Sequence, residues 1–507
     1  MPVNPDKLQV VNSLKYLGIN LNCTAKNNEV VNFERIFQSM QTKFNIWLSR
    51  NLTYFGRSLI AKAEGLSTFV HLASVLHIPP KMQKEINKSI SKFIWNYKQP
   101  KIAFKTLTMS YEQGGIKAPD FCILNAALKL MWLKRLFHEE AVWHCIITAE
   151  FNKFGGLSFI LNCNYEISKL SFCVDAFYND ILKFWINFNN TNFEHARFIL
   201  WHNKDITSGK KSFFFKEWFS EGIIHIGDIL DDSGDILKYH SFILKYQFPC
   251  SVAKYNKFIN AIPLRIRVEA KNLWIAHEYP DINKLELCSP ASLRFCNLPV
   301  FSKDFNVRRI QNCIRESNPH IPSCVPKWQT KFPQYPFNWQ KIWTLHLGFP
   351  VANNVKQMQY KILHRTFPCR QFLFLKTVAN SPNCLECSTE EDSTHYFYTC
   401  RSNKKFWDDF HVWWKSINEV PNDLLPLTAE NIIFGFTNNI KNNFICNIFV
   451  LLAKWTIYKC KLDNTKPSLP LLKFELRQVK HTLQYMSVSQ SRTNQMNQFN
   501  CIADHLL

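Results

Sequence analysis

Lys81-Met-Gln-Lys-Glu-Ile-Asn-Lys-Ser-Ile-Ser-Lys-Phe-Ile-Trp95 is the stretch whose reading decides the fold class. Met82, Ile86, Ile90, Phe93 and Ile94 recur at helical spacing and make one apolar face. Lys81, Lys84, Lys88 and Lys92 fall on the opposite face, within about one quadrant at 100° per residue. Glu85 shares that quadrant and weakens the stripe. Pro79-Pro80 stops the helix before it, expected over residues 58–76 with an apolar stripe of Leu59, Ala63, Leu66, Phe69 or Val70, and Ala73. Earlier still, Phe33, Phe37, Met40, Phe44 and Trp47 are spaced four, three, four and three apart, again one helical face. Beyond the turn at Gln113-Gly114-Gly115, residues 125–138 read as a further helix.

The same pattern, with only 13 glycines and as many as 43 phenylalanines, predicts a mainly α protein. It is expected to consist of helical-bundle domains, a short N-terminal strand and a small zinc-knuckle-like unit. The strand is read over residues 13–21, where Leu17, Ile19 and Leu21 alternate. A lone strand does not stand in water, and few residues precede it, so its partners are expected outside this sequence. The expected division is 1–29 as the strand remnant and 30–110 as a helical domain. A connecting helical and irregular region follows over 111–335, then a C-terminal helical domain over 336–507. Pro319-His320-Ile321-Pro322 and the proline-rich 326–336 stretch read as linkers.

Lysine and arginine number 61 against 39 acids, a net charge of +22. That field attracts polyanions, either nucleic acid or an anionic membrane surface, or simply keeps the protein in solution. The 17 cysteines are odd in number and scattered through apolar stretches, and the first residues do not read as a secretory signal. The expected location is therefore intracellular, nuclear or cytoplasmic, without a disulfide scaffold. Residues 444–453 are the most membrane-like. They are broken by Asn447, stopped by Lys454 and too short for a bilayer, which needs about 20 apolar residues. A buried helix is expected there, and no membrane partner.

Cys384-Leu-Glu-Cys387, followed by His395 and Cys400, carries the sharpest chemical signal. Two cysteines two apart chelate one metal from a tight turn, and a later His and Cys close a tetrahedron of the kind Zn²⁺ prefers. The intervening Ser388-Thr389-Glu390-Glu391-Asp392 is too polar to form a core, so a metal is a plausible staple. Four protein ligands leave no open position, which makes the expected Zn structural. The alternative is four unrelated side chains in a cysteine-rich chain. Arg401, Lys404, Lys405 and Trp407 follow at once. Cations beside an aromatic suit phosphate contact with base stacking; the same residues also suit a solvated helix start with one core Trp.

Polymerase chemistry needs paired carboxylates holding two metal ions. Asp231-Asp232 lies in Gly-Asp-Ile-Leu-Asp-Asp-Ser-Gly-Asp, a helix-and-turn sequence, and Asp408-Asp409 starts a helix. Both are read as caps or solvated faces. No catalytic residue and no small-molecule site is assigned.

In order, Lys15-Tyr16-Leu17-Gly18-Ile19 precedes Trp47-Leu-Ser-Arg50-Asn-Leu52-Thr53-Tyr-Phe-Gly56-Arg57-Ser-Leu-Ile60-Ala-Lys62. Ile78-Pro79, Phe93-Ile94-Trp95 and Gly114-Gly115-Ile116-Lys117-Ala118-Pro119-Asp120 come next. Trp132-Leu133-Lys134-Arg135-Leu136, Lys361-Ile362-Leu363-His364-Arg365, the cysteine unit, and Leu451-Leu452-Ala453-Lys454 with Ile457-Tyr458 complete the series. This order resembles the C-terminal half, from thumb to Cys/His unit, of a LINE-type (non-LTR) retrotransposon reverse transcriptase. The resemblance implies a helical thumb beside a template-primer duplex and a C-terminal unit that holds RNA. It implies RNA or an RNA–DNA hybrid as partner. Arg50, Arg57, Lys62 and the lysines at 81, 84, 88 and 92 are the candidates for backbone contact. The family's endonuclease and its palm, with the Tyr/Phe-x-Asp-Asp motif, would lie before residue 1, so polymerase activity is not carried over. The expectation is a nucleic-acid-binding, catalytically silent remnant. The alternatives are a fragment or trans-acting part of an active RNA-directed DNA polymerase, and an unselected reading frame from a dead insertion.

Overall fold

The computed structural model describes residues 11–22, 28–138, 142–189, 195–418, 420–438, 443–486 and 490–506. The described chain is mainly helical, and its strands form only two-stranded antiparallel ladders. Two compact units are present. One comprises residues 1–40, 66–87 and 120–319; the other comprises 41–65, 88–119 and 320–507. Residues 30–110 are thus divided between the two.

In the first unit, the strand expected over residues 13–21 is a hairpin that supplies its own partner. Strand β1 (Ser13–Tyr16) pairs antiparallel with β2 (Ile19–Asn22), with Tyr16 opposite Ile19. Leu17 and Gly18 form the turn, with φ of 47° and 83°. Positive φ at both central residues matches the two-residue turn whose twist suits a hairpin, and Gly18 takes its position without steric cost. Leu17 is therefore a turn residue, 73% exposed. Asn32 ties the hairpin down: its Oδ1 accepts from the Asn20 amide and its Nδ2 donates to the Asn20 carbonyl, both at 2.8 Å.

The core of this unit is aromatic. Trp201 stacks on Phe258 at 5.3 Å and meets Trp218 edge-on at 6.0 Å. The Trp201 and Trp185 indole N–H groups donate to the carbonyls of Ile223 and Leu161, so these two rings are buried with their polar atoms satisfied, whereas the buried Trp218 Nε1 has no partner. Lys129 is fully buried. Its Nζ donates to the carbonyls of Ala73 and Leu76 at the end of the Val70–Val75 helix. A cation there satisfies orphan carbonyls and opposes the negative helix terminus.

The segment expected as one helix over 58–76 is broken into four turns of different pitch. Tyr54–Ile60 is α-helical, Ala61–Gly65 is a wider π turn, Leu66–Phe69 is a tighter 3₁₀ turn, and Val70–Val75 is α again. The change of pitch rephases the buried face. Leu66, Phe69 and Ala73 are buried as expected, but Leu59 is 65% exposed while Arg57, Ser58 and Ala61 turn inward. By contrast the Asn28–Leu48 helix keeps a uniform pitch and buries Phe33, Met40 and Phe44.

In the second unit, Phe44 stacks on Phe93 with centroids 4.3 Å apart. Gly114 and Gly115 make the expected turn. A Cβ on Gly114 would sit 2.8 Å from the Trp343 ring, and one on Gly115 would sit 2.1 Å from the Met109 carbonyl oxygen. No larger residue fits this close approach. The Asn443–Leu462 helix runs through the core, burying every residue from Ile445 to Lys454. Asn447 and Lys454 interrupt the apolar run in sequence without interrupting the helix. Asn447 exchanges two hydrogen bonds with the Phe436 backbone, at 2.7 and 3.1 Å. Lys454 Nζ donates to Gln359 Oε1 at 2.6 Å, and Gln359 in turn donates to the Ile433 carbonyl. Among the described residues no helix is long and apolar enough to cross a membrane.

Candidate metal centre

Residues 383–394 contain few apolar side chains, and backbone hydrogen bonds set their shape. The Cys384 amide donates to the Thr389 carbonyl, the Ser388 amide to the Cys384 carbonyl, and the Glu391 amide to the Pro382 carbonyl, at 2.8–2.9 Å. Ser388 takes a left-handed φ of 60° to close the loop. This knuckle brings the Cys384 and Cys387 side chains together. Asp392 then starts the next turn, accepting from the His395 amide at 2.9 Å, and His395–Thr399 forms one wide helical turn. The Cys400 amide donates to the His395 carbonyl at 3.0 Å, which sets the fourth residue facing the first two.

The result is a compact set of donors. Ligand atoms of Cys384, Cys387, His395 and Cys400 all lie within 4.8 Å of one another. The Cys400 sulfur is 3.8 Å from that of Cys384 and 3.7 Å from that of Cys387. A disulfide needs about 2.05 Å. Two sulfurs on a tetrahedral metal with bonds of about 2.3 Å stand roughly 3.8 Å apart. The four residues therefore can hold one metal ion. The Arg401 amide donates to the Cys387 sulfur at 3.2 Å, a contact that stabilises a thiolate. His395 Nδ1 lies 3.4 Å from the Thr389 hydroxyl and 3.5 Å from that of Thr399. Its Nε2 is buried with no hydrogen-bond partner. A buried ring nitrogen without a partner, opposite one held by hydroxyls, is what a ligating imidazole needs. Burial also lowers the His395 pKa, which keeps that lone pair free.

The nucleic-acid candidates divide into two groups. Arg50, Lys62, Lys81, Lys84, Lys88, Lys92, Arg401, Lys404 and Lys405 are exposed. The four lysines from 81 to 92 lie along the Pro80–Ile94 helix, opposite the fully buried Ile86, Ile90 and Phe93. Two candidates are corrected. Arg57 is 8% exposed, and its Nη1 donates to the Ile94 carbonyl at 3.2 Å, capping that helix. Trp407 is 3% exposed and donates to the Phe397 carbonyl at 3.0 Å. Its ring packs against Tyr398 and Phe410, so no base can stack on it. Asp231 Oδ1 accepts from the Ser233 amide and hydroxyl and from the Asp235 amide, the arrangement of a turn-capping aspartate.

A second basic feature has no linear signal, because its residues come from separate segments of the chain. Lys101, Lys327, Arg365 and Lys376 line a cleft of about 290 Å³ in the second unit. Its walls include Trp328, His364 and Phe372. No protein-family model matches the chain.

Proposed function

We propose that this chain binds nucleic acid, RNA or an RNA–DNA hybrid, chiefly through phosphate contacts, and that its Cys/His knuckle carries a structural Zn²⁺. On motif order we take it to be a catalytically silent remnant of a LINE-type reverse transcriptase. The observation that carries the binding reading is the exposed lysine row of the Pro80–Ile94 helix in a protein of net charge +22. At 1.5 Å rise per residue the row spans roughly 16 Å, enough to follow several phosphates along a groove. Three sulfurs and one imidazole suit Zn²⁺ over harder cations, and four protein donors fill its coordination shell.

Binding of an RNA–DNA hybrid is compared between wild type and a Lys84→Ala/Lys88→Ala/Lys92→Ala variant across a salt series. Each lysine on a phosphate lowers the slope by about one unit when removed. Equal affinity and slope contradict the assignment of this helix. Primer extension on an RNA template with Mg²⁺ or Mn²⁺ tests catalytic silence. Extension that disappears on Asp231→Ala or Asp408→Ala contradicts it.

A further inference from the structure

The cleft floored by Trp328 and His364 carries like charge with little compensation. Lys101, Lys327 and Lys376 are exposed at its rim, and Arg365 is half-buried. Among the described residues none of these four cations has a carboxylate within 4 Å. Asp392, the acid on the cleft wall, is already engaged by Lys331, whose Nζ also donates to the Thr394 hydroxyl at 2.8 Å. Two of them rest on aromatic faces instead. Lys101 lies 5.3 Å from the Phe372 centroid, Arg365 4.8 Å from that of Trp328, and nearby Lys361 5.4 Å from that of Tyr54.

The charges feel one another. Lys101 is lowered from the usual lysine range by burial, then by Lys98 and Lys376. Lys361 is brought down to about 8 by burial, then by Lys101 and Lys98. Burial is the larger cause of both shifts; the like-charge repulsion that adds to it is the part a bound polyanion relieves.

The floor does not read as a nucleophilic site. Cys324 and His364 come within 3.6 Å. However, burial pushes the thiol up to about 12 and the imidazole down to about 4. His364 Nε2 contacts the Gly114 carbonyl at 2.8 Å; that oxygen only accepts, so Nε2 carries the proton and Nδ1 faces the sulfur as acceptor. This neutral pair fixes the ring that Trp343 stacks on at 4.8 Å.

We propose that this cleft is a binding channel for the sugar-phosphate backbone of single-stranded nucleic acid, with Lys101, Lys327, Arg365 and Lys376 as its phosphate contacts. The proposal rests on the nucleic-acid reading above and adds a second, strand-selective site to it. A cleft of about 290 Å³ is at the lower limit of cavities that enclose small ligands, so one nucleotide unit fits between its walls and a duplex does not. Cations around a narrow groove track the backbone of a single strand without reading its sequence; Trp328 is 1% exposed, so the buried ring holds Arg365 in place rather than stacking on a base.

The test is binding of a labelled oligouridylate by the full chain and by a Lys101→Gln/Lys327→Gln/Lys376→Gln variant across a salt series. All three side chains are exposed, and Lys101 and Lys376 repel one another, so the variant is expected to melt no lower than wild type. Each lost contact lowers the single-strand slope by about 0.7, so the slope drops by about 2 and affinity near physiological salt falls on the order of fifty-fold. RNA–DNA hybrid binding through the Pro80–Ile94 helix is expected to change much less. Unchanged oligouridylate affinity and slope in the variant, with hybrid binding intact in wild type, overturns the channel and leaves the general reading standing. Wild type that binds neither ligand overturns both.

Discussion

The Cys/His knuckle and the Asn443–Leu462 helix belong to the same unit and are held by opposite means. Around the helix, Phe449 contacts Trp413 at 4.8 Å, Trp414 at 5.5 Å and Phe410 at 6.5 Å, and it is fully buried. Its cohesion comes from apolar area removed from water and from close packing. The knuckle has backbone turns, four converging donor atoms and mostly exposed side chains over residues 383–390, while most of residues 391–397 turn inward and Tyr396 and Phe397 join the core. The loop over 383–390 lacks the apolar area to hold itself, so its order is expected to depend on a metal at the four donors. One region is stabilised by solvent exclusion, whereas coordination by the four donors is the expected source of order in the other, and experiment can separate the two.

The largest expected effect comes from removing the metal. Structural zinc in small Cys/His units supplies apparent binding energies of about 10–16 kcal/mol. Cys384→Ala with Cys387→Ala is expected to abolish a one-to-one metal content and to open residues 382–405 to proteolysis. The helical core is expected to keep its far-UV signal. Metal content equal to wild type in that variant contradicts the site.

Phe449→Ala is the converse. Truncating a fully buried phenylalanine costs about 3–5 kcal/mol, and the loss is expected to appear equally with and without chelator. A chelator-dependent loss would show that the two regions are not independent.

Lys454 gives a smaller, pH-dependent effect inside the same core. Burial brings it down to about 7, below its unfolded value, and its side chain meets Gln359. Between the two pKa values the unfolded chain binds more protons, so stability rises with pH. The penalty is fully present below pH 7 and is relieved as pH rises through the folded pKa. His346 nearby is itself lowered to about 3 by burial, then by Lys454 and Lys356, so it stays neutral throughout this window. The stability difference between wild type and Lys454→Met, measured by urea unfolding, is expected to climb by up to about 1.4 kcal/mol per pH unit above pH 7. A flat difference contradicts a neutral buried lysine.

The smallest effect lies at the knuckle's periphery. Thr389→Val removes one hydroxyl beside His395 Nδ1 and is expected to weaken metal affinity by about tenfold, read by competition with a chelator. No change would mean that the remaining Thr399 hydroxyl suffices.

What could be read from the sequence followed from how locally each feature is determined. The four donors of the knuckle sit within a few turns of one another, so their spacing alone encodes their meeting. The Pro80–Ile94 helix has a uniform pitch, and its faces follow from period alone. The hairpin was half legible. Alternating apolar residues mark extended chain, but they continue through the Leu17-Gly18 turn, so the pattern reads as one strand where two pair. Arg57 and Trp407 were misplaced because their exposure depends on distant partners: the Ile94 carbonyl for one and the Phe397 carbonyl for the other. Lys129 and Lys454 look like any helical lysine in sequence, and only the carbonyl and amide groups they meet explain their burial. The π turn at Ala61–Gly65 has no local signature that would have shifted the stripe around Leu59.

The central claim, that this chain holds nucleic acid through its phosphates, is tested most directly by one titration. Wild-type affinity for an RNA–DNA hybrid is measured against salt concentration, with two unrelated base sequences. The account predicts a steep linear fall of log affinity with log salt, close to the same for both sequences, as counterion release requires. Absence of binding, or an affinity indifferent to salt, would contradict it.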